Sequence, residues 1–210
     1  MGLFRVIEDS NSQIAVWKVT ESEQQLKELT GIDLTNSYTY PHRRIERMVT
    51  RAILDRLNHF EPVNYHPNGS PYYYEGAPYI SISHAAKIVV VGFCQKMSIG
   101  VDVERTNRDF RKVADKYLSQ KELEWIDLEH HDSLALAWCI KESVYKLPWA
   151  VNKNFTTDIN ILNFKDISRS GSARVNVIDL EIIHHLELKY LFFDEFCLSW
   201  VSYDFQSAVI

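Results

Sequence analysis

Between Tyr79 and Glu104 the chain reads as strand after strand, with no helical period to separate them. Tyr79 to Ser83 alternates Tyr-Ile-Ser-Ile-Ser, which puts Ile80 and Ile82 on one face of a strand. Lys87 to Cys94 and Ser98 to Glu104 follow as two more apolar runs, and the polar break at Gln95 and Lys96 predicts a hairpin between them. Consecutive strands of this kind do not fit a regular parallel βα alternation. They restrict the chain to folds in which strands cluster and a few helices are added.

The flanking segments agree with an α+β class. Ile14 to Val19 alternates weakly and predicts a strand. Thr20 then caps a short helix, with Glu23 three residues on as its capping box and Gly31 past its end. Pro41 to Asn58 is the first long helix; Ile45, Met48, Val49 and Ala52 fall at helical spacing and form its core stripe. Residues 61–78, rich in Pro, Gly, Asn and Tyr, read as loop. Ser119 starts a further helix, and a second long one runs from Ser133 to Leu147, where Pro148 stops it. Strands follow near Ile159 to Phe164 and Arg174 to Ile178, then a hairpin of Tyr190 to Phe193 with Phe196 to Tyr203.

Composition sets outer limits. A chain of 210 residues is one domain or two small ones fused, and it buries roughly 70% of its unfolded surface without needing staples. The formal net charge of −5 argues against a globally basic nucleic-acid binder. Cys94, Cys139 and Cys197 form no CxxC and read as reduced thiols. Met1 to Ser10 has no sustained apolar region and carries Glu8 and Asp9, and Val6 stands where N-myristoylation of Gly2 would want Ser or Thr. No apolar run approaches the ~20 residues of a membrane span. The expected location is the cytoplasm.

Several motifs carry candidate chemistry. In Ile99-Gly100-Val101-Asp102-Val103-Glu104, strand periodicity puts Gly100, Asp102 and Glu104 on one face. Two carboxylates thus project together beside a glycine that lets another group approach the backbone. Such oxygens suit Mg²⁺, which takes one or two carboxylates and keeps positions for water and phosphate; an exposed strand end rich in acids has the same pattern. In Trp138-Cys139-Ile140-Lys141-Glu142-Ser143-Val144-Tyr145-Lys146, residues Trp138, Glu142 and Lys146 form one helical stripe. It suits a carboxylate completing a metal site and a lysine gripping phosphate, or simply a surface Glu–Lys pair. Ser81-Ile82-Ser83-His84 is an anion grip or an ordinary strand exit. Arg43, Arg44, Arg47 and Arg51 lie opposite Ile45, Met48 and Ala52, as a phosphate or acidic-partner surface or as a solvated face. Ser119-Gln120-Lys121-Glu122 is a capping box, which gives Glu122 a structural task. His130 and His131 have no paired ligand spacing and read as loop residues.

In this order these motifs resemble the Sfp-type 4′-phosphopantetheinyl transferases. The resemblance rests on Gly76-Ala77-Pro78-Tyr79-Ile80-Ser81-Ile82-Ser83-His84, on the Gly100-Val101-Asp102 segment, and on Trp138 to Lys146, which follows the family pattern W-x-x-K-E-A/S-x-x-K. Asp102 and Lys141 stand 39 positions apart, in keeping with the family spacing. The resemblance implies two similar α+β halves related by a pseudo-twofold axis, divided here into residues 1–98, with the nucleotide grip, and 99–210, with the metal and the catalytic helix. Coenzyme A would lie in the cleft between them. The implied reaction moves phosphopantetheine from coenzyme A to a serine of an acyl or peptidyl carrier protein and releases adenosine 3′,5′-bisphosphate.

Carried over by position, the resemblance makes Asp102, Glu104 and Glu142 ligands of Mg²⁺, with Mn²⁺ as an alternative. It makes Lys146 the pyrophosphate contact and Lys141 an orienting cation. Ser83 and His84 grip the nucleotide phosphates, and Arg43 and Arg51 are further contacts to coenzyme A. Either Glu142 or Glu122 is the general base. The implied partners are a carrier protein and coenzyme A, without nucleic acid or membrane, and the size matches the monomeric branch of the family. Two departures stand out: Gly69-Ser70-Pro71 where many members have Gly-Lys-Pro, and Ala85 where a serine is common. A non-catalytic module of the same fold, binding coenzyme A or a carrier protein, is the alternative these departures favour.

Overall fold

The computed structural model describes residues 2–9, 12–73, 78–162, 164 and 167–204. Gly76 and Ala77, which open the first motif, lie outside the described residues, as do Met1 and Ser10. The N-terminal elements are β1 (Leu3–Asp9), β2 (Ser12–Lys18), α1 (Glu23–Thr30), α2 (Pro41–Arg56), β3 (Asn64–Tyr65), β4 (Pro71–Tyr72), β5 (Tyr79–Ala85) and β6 (Ile88–Cys94). Then come β7 (Ser98–Arg105), a 3-10 turn (Phe110–Val113), α3 (Ala114–Tyr117), α4 (Gln120–Leu123) and α5 (His131–Tyr145). The chain ends with β8 (Ile159–Ile161), β9 (Ser170–Asp179), β10 (Ile182–Phe193) and β11 (Phe196–Tyr203).

This is a mixed α+β fold. One sheet has the order β1-β2-β6-β5, a second the order β7-β11-β10-β9-β8, and β3 pairs with β4. Alternation along the strands dictates how the layers stack. Ala15 and Trp17 of β2, with Val89, Val91 and Phe93 of β6, pack against Met48, Val49, Ala52 and Ile53 of α2. The intervening Ile14, Val16, Ile88 and Val90 meet Ile99, Val101 and Val103 of β7 and Leu198 and Trp200 of β11. Behind the second sheet, Leu188 of β10 and Cys197 and Val201 of β11 pack against Leu136, Ile140 and Val144 of α5. Helix, sheet, sheet and helix thus form successive layers, each apolar face covered by the next. No helix among the described residues is long and apolar enough to cross a membrane.

The expected hairpin between residues 87–94 and 98–104 is not formed. β6 pairs with β2 and β5, whereas β7 pairs with β11 in the other sheet. β6 is apolar on both faces, and its Ile88 and Val90 need a cover, which the Ile99, Val101 and Val103 face of β7 supplies by stacking rather than pairing. Gly92 permits this: a Cβ there would lie 2.4 Å from Val101 Cγ1.

Helix boundaries are also adjusted. The capping box of α1 is Ser22 with Gln25, not Thr20 with Glu23, while Gly31 ends the helix in the left-handed region at φ 69° as expected. α5 begins before Ser133, because His130 Nδ1 accepts from the Ser133 N–H and makes His130 the N-cap. His130 and His131 are therefore helix-start residues. β1 carried no reading in the sequence, and part of the expected loop at 61–78 is the β3–β4 ribbon.

The glycine of the Gly-Val-Asp segment has a packing role. A Cβ on Gly100 would lie 1.8 Å from the Ser143 carbonyl oxygen, so the group that approaches this backbone is α5 itself. Gly100→Ala is expected to destabilise the protein by about 3 kcal/mol, the upper end for overpacking a core, because the clashing atom is backbone and cannot rotate away. Chemical denaturation of the variant measures this directly.

Candidate active site

β7 is an edge strand of the second sheet, so its outer N–H groups need partners from elsewhere. They find them on β5: the Val101 N–H donates to Ser81 Oγ at 3.1 Å and the Val103 N–H to Ser83 Oγ at 3.3 Å. The Ser83 hydroxyl in turn donates to Asp102 Oδ1 at 2.7 Å. Two serines at period two thus join the edges of the two sheets and hold the first carboxylate of the site.

α5 supplies the facing side. Close packing over Gly100 brings the Trp138, Glu142 and Lys146 stripe onto the face of β7 that carries Asp102 and Glu104. Lys146 Nζ donates to Asp102 Oδ1 at 2.7 Å and to the Val101 carbonyl at 2.9 Å. Trp138 Nε1 donates to Glu104 Oε1 at 3.1 Å. Arg108, beyond the end of β7, donates to the same Glu104 oxygen at 2.6 Å. Its guanidinium lies over the rings of Phe110 and Trp138, 4.9 and 5.2 Å from their centroids.

The electrostatics follow from three carboxylates sharing a poorly hydrated space. Burial, and then the charge of Asp102, push Glu104 above the usual carboxylate range. Glu142 is pushed up to about 7, by burial first and then by Asp102, with Lys146 opposing and Glu104 adding to the shift. Asp102 is 4% exposed, and its Oδ2 is buried without a hydrogen-bond partner. A buried carboxylate oxygen with no donor is costly unless a cation meets it.

Among the described residues no three His, Cys, Asp or Glu side chains stand at metal-ligand spacing. The donor chemistry nevertheless fits a hard divalent cation. Asp102 Oδ2 faces no protein donor, and the mutual repulsion of Asp102, Glu104 and Glu142 is what bound positive charge would relieve.

The nucleotide-grip candidates separate into two groups. His84, at the end of β5, meets Glu46 Oε1 through Nδ1 at 3.2 Å and Arg43 through Nε2 at 3.3 Å; Arg43 also pairs with Glu46 at 3.3 Å. Burial lowers the pKa of His84, with Glu46 opposing. Arg51 does not join this cluster. It binds Asp55 and the carbonyls of His59, Phe60 and Glu61, tying down the chain after α2. Arg44 is held by Glu23 and the Tyr38 carbonyl, and Arg47 lies 3.4 Å over the Tyr65 ring. The arginine face of α2 is thus largely spent on holding neighbouring segments.

Glu122 and Lys141 form a separate buried pair. Lys141 is 0% exposed and donates to Glu122 Oε2 at 2.7 Å and to the carbonyls of Phe155 and Ile159. Glu122 also accepts from the N–H groups of Ser119 and Ile161 at 2.7 Å each. This pair fastens α4, α5 and β8 together, one helical position round from Glu142. Of the departures, Ser70 forms a turn with Asn68, and Ala85 packs in the apolar layer between the sheets.

Sequence reasoning missed Arg108 and Glu46. Arg108 lies in a turn, where no periodicity links it to Glu104. Glu46 shares the face of Arg43 one helical turn on, but that spacing alone does not reveal that both reach His84.

A mixed α+β protein with acidic groups and a lysine converging between an edge strand and a helix is equipped to handle phosphate with a divalent cation. The family model of the 4′-phosphopantetheinyl transferase superfamily matches residues 98–201, just under half of the chain, from β7 into β11. A search of curated proteins gave no match.

Proposed function

We propose that this protein transfers the 4′-phosphopantetheine group of coenzyme A to a serine hydroxyl of an acyl or peptidyl carrier protein, in the manner of the Sfp-type enzymes. The observation that carries the reading is the convergence of Asp102 and Glu104 from β7 with Glu142 and Lys146 from α5, inside the segment that matches the superfamily model. We read residues 1–98 and 99–210 as two pseudo-symmetric halves and the protein as a cytoplasmic monomer. Its three cysteines are free and buried, in keeping with a reducing compartment.

Asp102, Glu104 and Glu142 would hold Mg²⁺, or Mn²⁺ in its place. The bound cation supplies neutralisation of charge on the pyrophosphate. Lys146 stands at the same place and adds a fixed positive charge toward the leaving phosphate. Glu122 is committed to Lys141 and to the N–H groups of Ser119 and Ile161, whereas Glu142 lies at the cation site, so we assign Glu142 rather than Glu122 as the base. His84 and Arg43 face the nucleotide phosphates. Arg51, Lys141 and Glu122 act by holding the segments that carry these groups. The other product is adenosine 3′,5′-bisphosphate. Chromatography of reaction mixtures tests the reading: this nucleotide should accumulate only when coenzyme A, an apo carrier protein and a divalent cation are all present. Its absence across fatty-acid, polyketide and nonribosomal-peptide carriers would overturn the proposal.

The raised Glu142 pKa has a stability consequence with a definite sign. Its proton is bound more tightly in the folded state, about 7, than at the ordinary 4.5 of the unfolded chain. The folded state is therefore favoured below the unfolded value and loses that stability as pH rises from about 4.5 through about 7, by on the order of 3 kcal/mol. Thermal melts in EDTA from pH 5 to 8 should show wild type declining relative to Glu142→Gln, which melts higher at pH 8. Parallel curves for the two proteins would contradict the assignment.

A further inference from the structure

We propose that Arg108 is a positioning residue that fixes Glu104 for cation binding; the inference rests on the reading of Glu104 as a metal ligand. Glu104 is the penultimate residue of β7, paired with Cys197 of β11, so its backbone is held while its side chain is not. A glutamate there has three rotatable bonds and loses much rotamer freedom when it is ordered. Two donors remove that freedom here. Trp138 Nε1 and the Arg108 guanidinium both bind Oε1, at 3.1 and 2.6 Å. Oε1 is thereby used up, and Oε2 is the oxygen left for a cation.

Arg108 is itself built into place. The turn that carries it is stitched to the β10–β11 turn: the Thr106 N–H donates to the Glu195 carbonyl at 2.9 Å, and Arg105 binds the Glu195 carboxylate at 3.0 Å. The Arg108 N–H closes the turn on the Arg105 carbonyl at 3.2 Å. The guanidinium then lies against Phe110 and Trp138, whose rings are 5.6 Å apart. A planar cation stacked on two rings has a fixed direction. A lysine ammonium at the same place keeps the charge and loses the plane.

Arg108 has two opposed effects on a bound cation. Its charge repels the ion, and its hydrogen bond orders the ligand. The side chain is 49% exposed, so water and salt screen its repulsion of an ion bound beyond Glu104 more than its direct 2.6 Å contact with Oε1. Ordering therefore dominates, and losing it should weaken the metal by roughly 10- to 100-fold, the usual range for a group that orients a ligand.

The test is Mn²⁺ binding to the whole protein without coenzyme A, by electron paramagnetic resonance of the free ion, for wild type, Arg108→Met, Arg108→Lys and Asp102→Asn. Arg108→Met keeps the apolar stem on the rings, and its melting temperature checks the fold. Both Arg108 variants should bind Mn²⁺ at least 10-fold more weakly, at low and at high salt alike. In carrier-protein assays their Mn²⁺ requirement should rise while kcat at saturating Mn²⁺ stays within about threefold of wild type. Unchanged or tighter binding in Arg108→Met, with binding lost in Asp102→Asn, overturns the role of Arg108 and leaves the metal site standing. Failure of wild type to bind Mn²⁺, or equal binding by Asp102→Asn, overturns the metal-site reading and the inference together.

Discussion

Asp102→Asn should reduce phosphopantetheine transfer by roughly 10³-fold, the scale of losing a major transition-state charge contact, while leaving the fold intact. Asp102 Oδ1 is held by Ser83 and Lys146, and the asparagine carbonyl can keep both bonds. Oδ2 is the buried oxygen without a partner, so the substitution removes the charge that the cation needs and leaves the Lys146 contact as a neutral hydrogen bond. In metal-free protein it also relieves Glu142 of its largest neighbouring negative charge. The melting temperature in EDTA should therefore hold or rise. Steady-state kinetics beside thermal melts separate the outcomes: near-normal turnover would remove Asp102 from the metal site, and collapse of the fold would make its role structural.

Lys141→Met should have the opposite signature. Lys141 is fully buried and all three of its N–H donors are used, on Glu122 and on two backbone carbonyls. Burial alone lowers its pKa, and Glu122 opposes that shift. Removing the lysine leaves Glu122 as an unpaired buried charge at a cost of about 3–5 kcal/mol. That is a large share of the ~5–15 kcal/mol that holds a domain together. Adding Glu122→Gln should recover part of the loss, since the amide oxygen can still accept from a backbone N–H. Denaturant titration of single and double variants measures the coupling. Activity per folded molecule should remain within about tenfold of wild type. A stable Lys141→Met protein with transfer abolished would instead place Lys141 on the substrate.

These two residues show how far the sequence could be read. Asp102 and Glu104 on one strand face, and Trp138, Glu142 and Lys146 on one helical stripe, follow from periodicity alone, and the folded chain sets those two faces against each other. Lys141 lies inside the same motif, one residue from Glu142. A single helical step of about 100° turns it into the core, and its partners lie outside the motif, Glu122 before it and the Phe155 and Ile159 carbonyls after it. Gly100 suggested an approach to the backbone, yet only the fold identifies the approaching group as the Ser143 carbonyl. The hairpin between residues 87–94 and 98–104 failed for a similar reason: local pattern identifies strands, but which sheet each joins depends on what covers its second face. Thr20 and Ser22 are both acceptable caps, and the reciprocal bond from Gln25 decides between them. Arg51 with Asp55 is an i,i+4 pair that a helical wheel displays, but the tethering of Arg44 to Glu23, Arg47 to Tyr65 and Arg51 to the carbonyls after α2 depends on contacts outside the helix.

Intact-mass spectrometry of an apo carrier protein incubated with this protein, coenzyme A and Mg²⁺ tests the transfer reaction most directly. A gain of one phosphopantetheine per carrier is expected, abolished by EDTA and by Asp102→Asn. An unmodified carrier in the presence of a folded protein that still binds coenzyme A would contradict it.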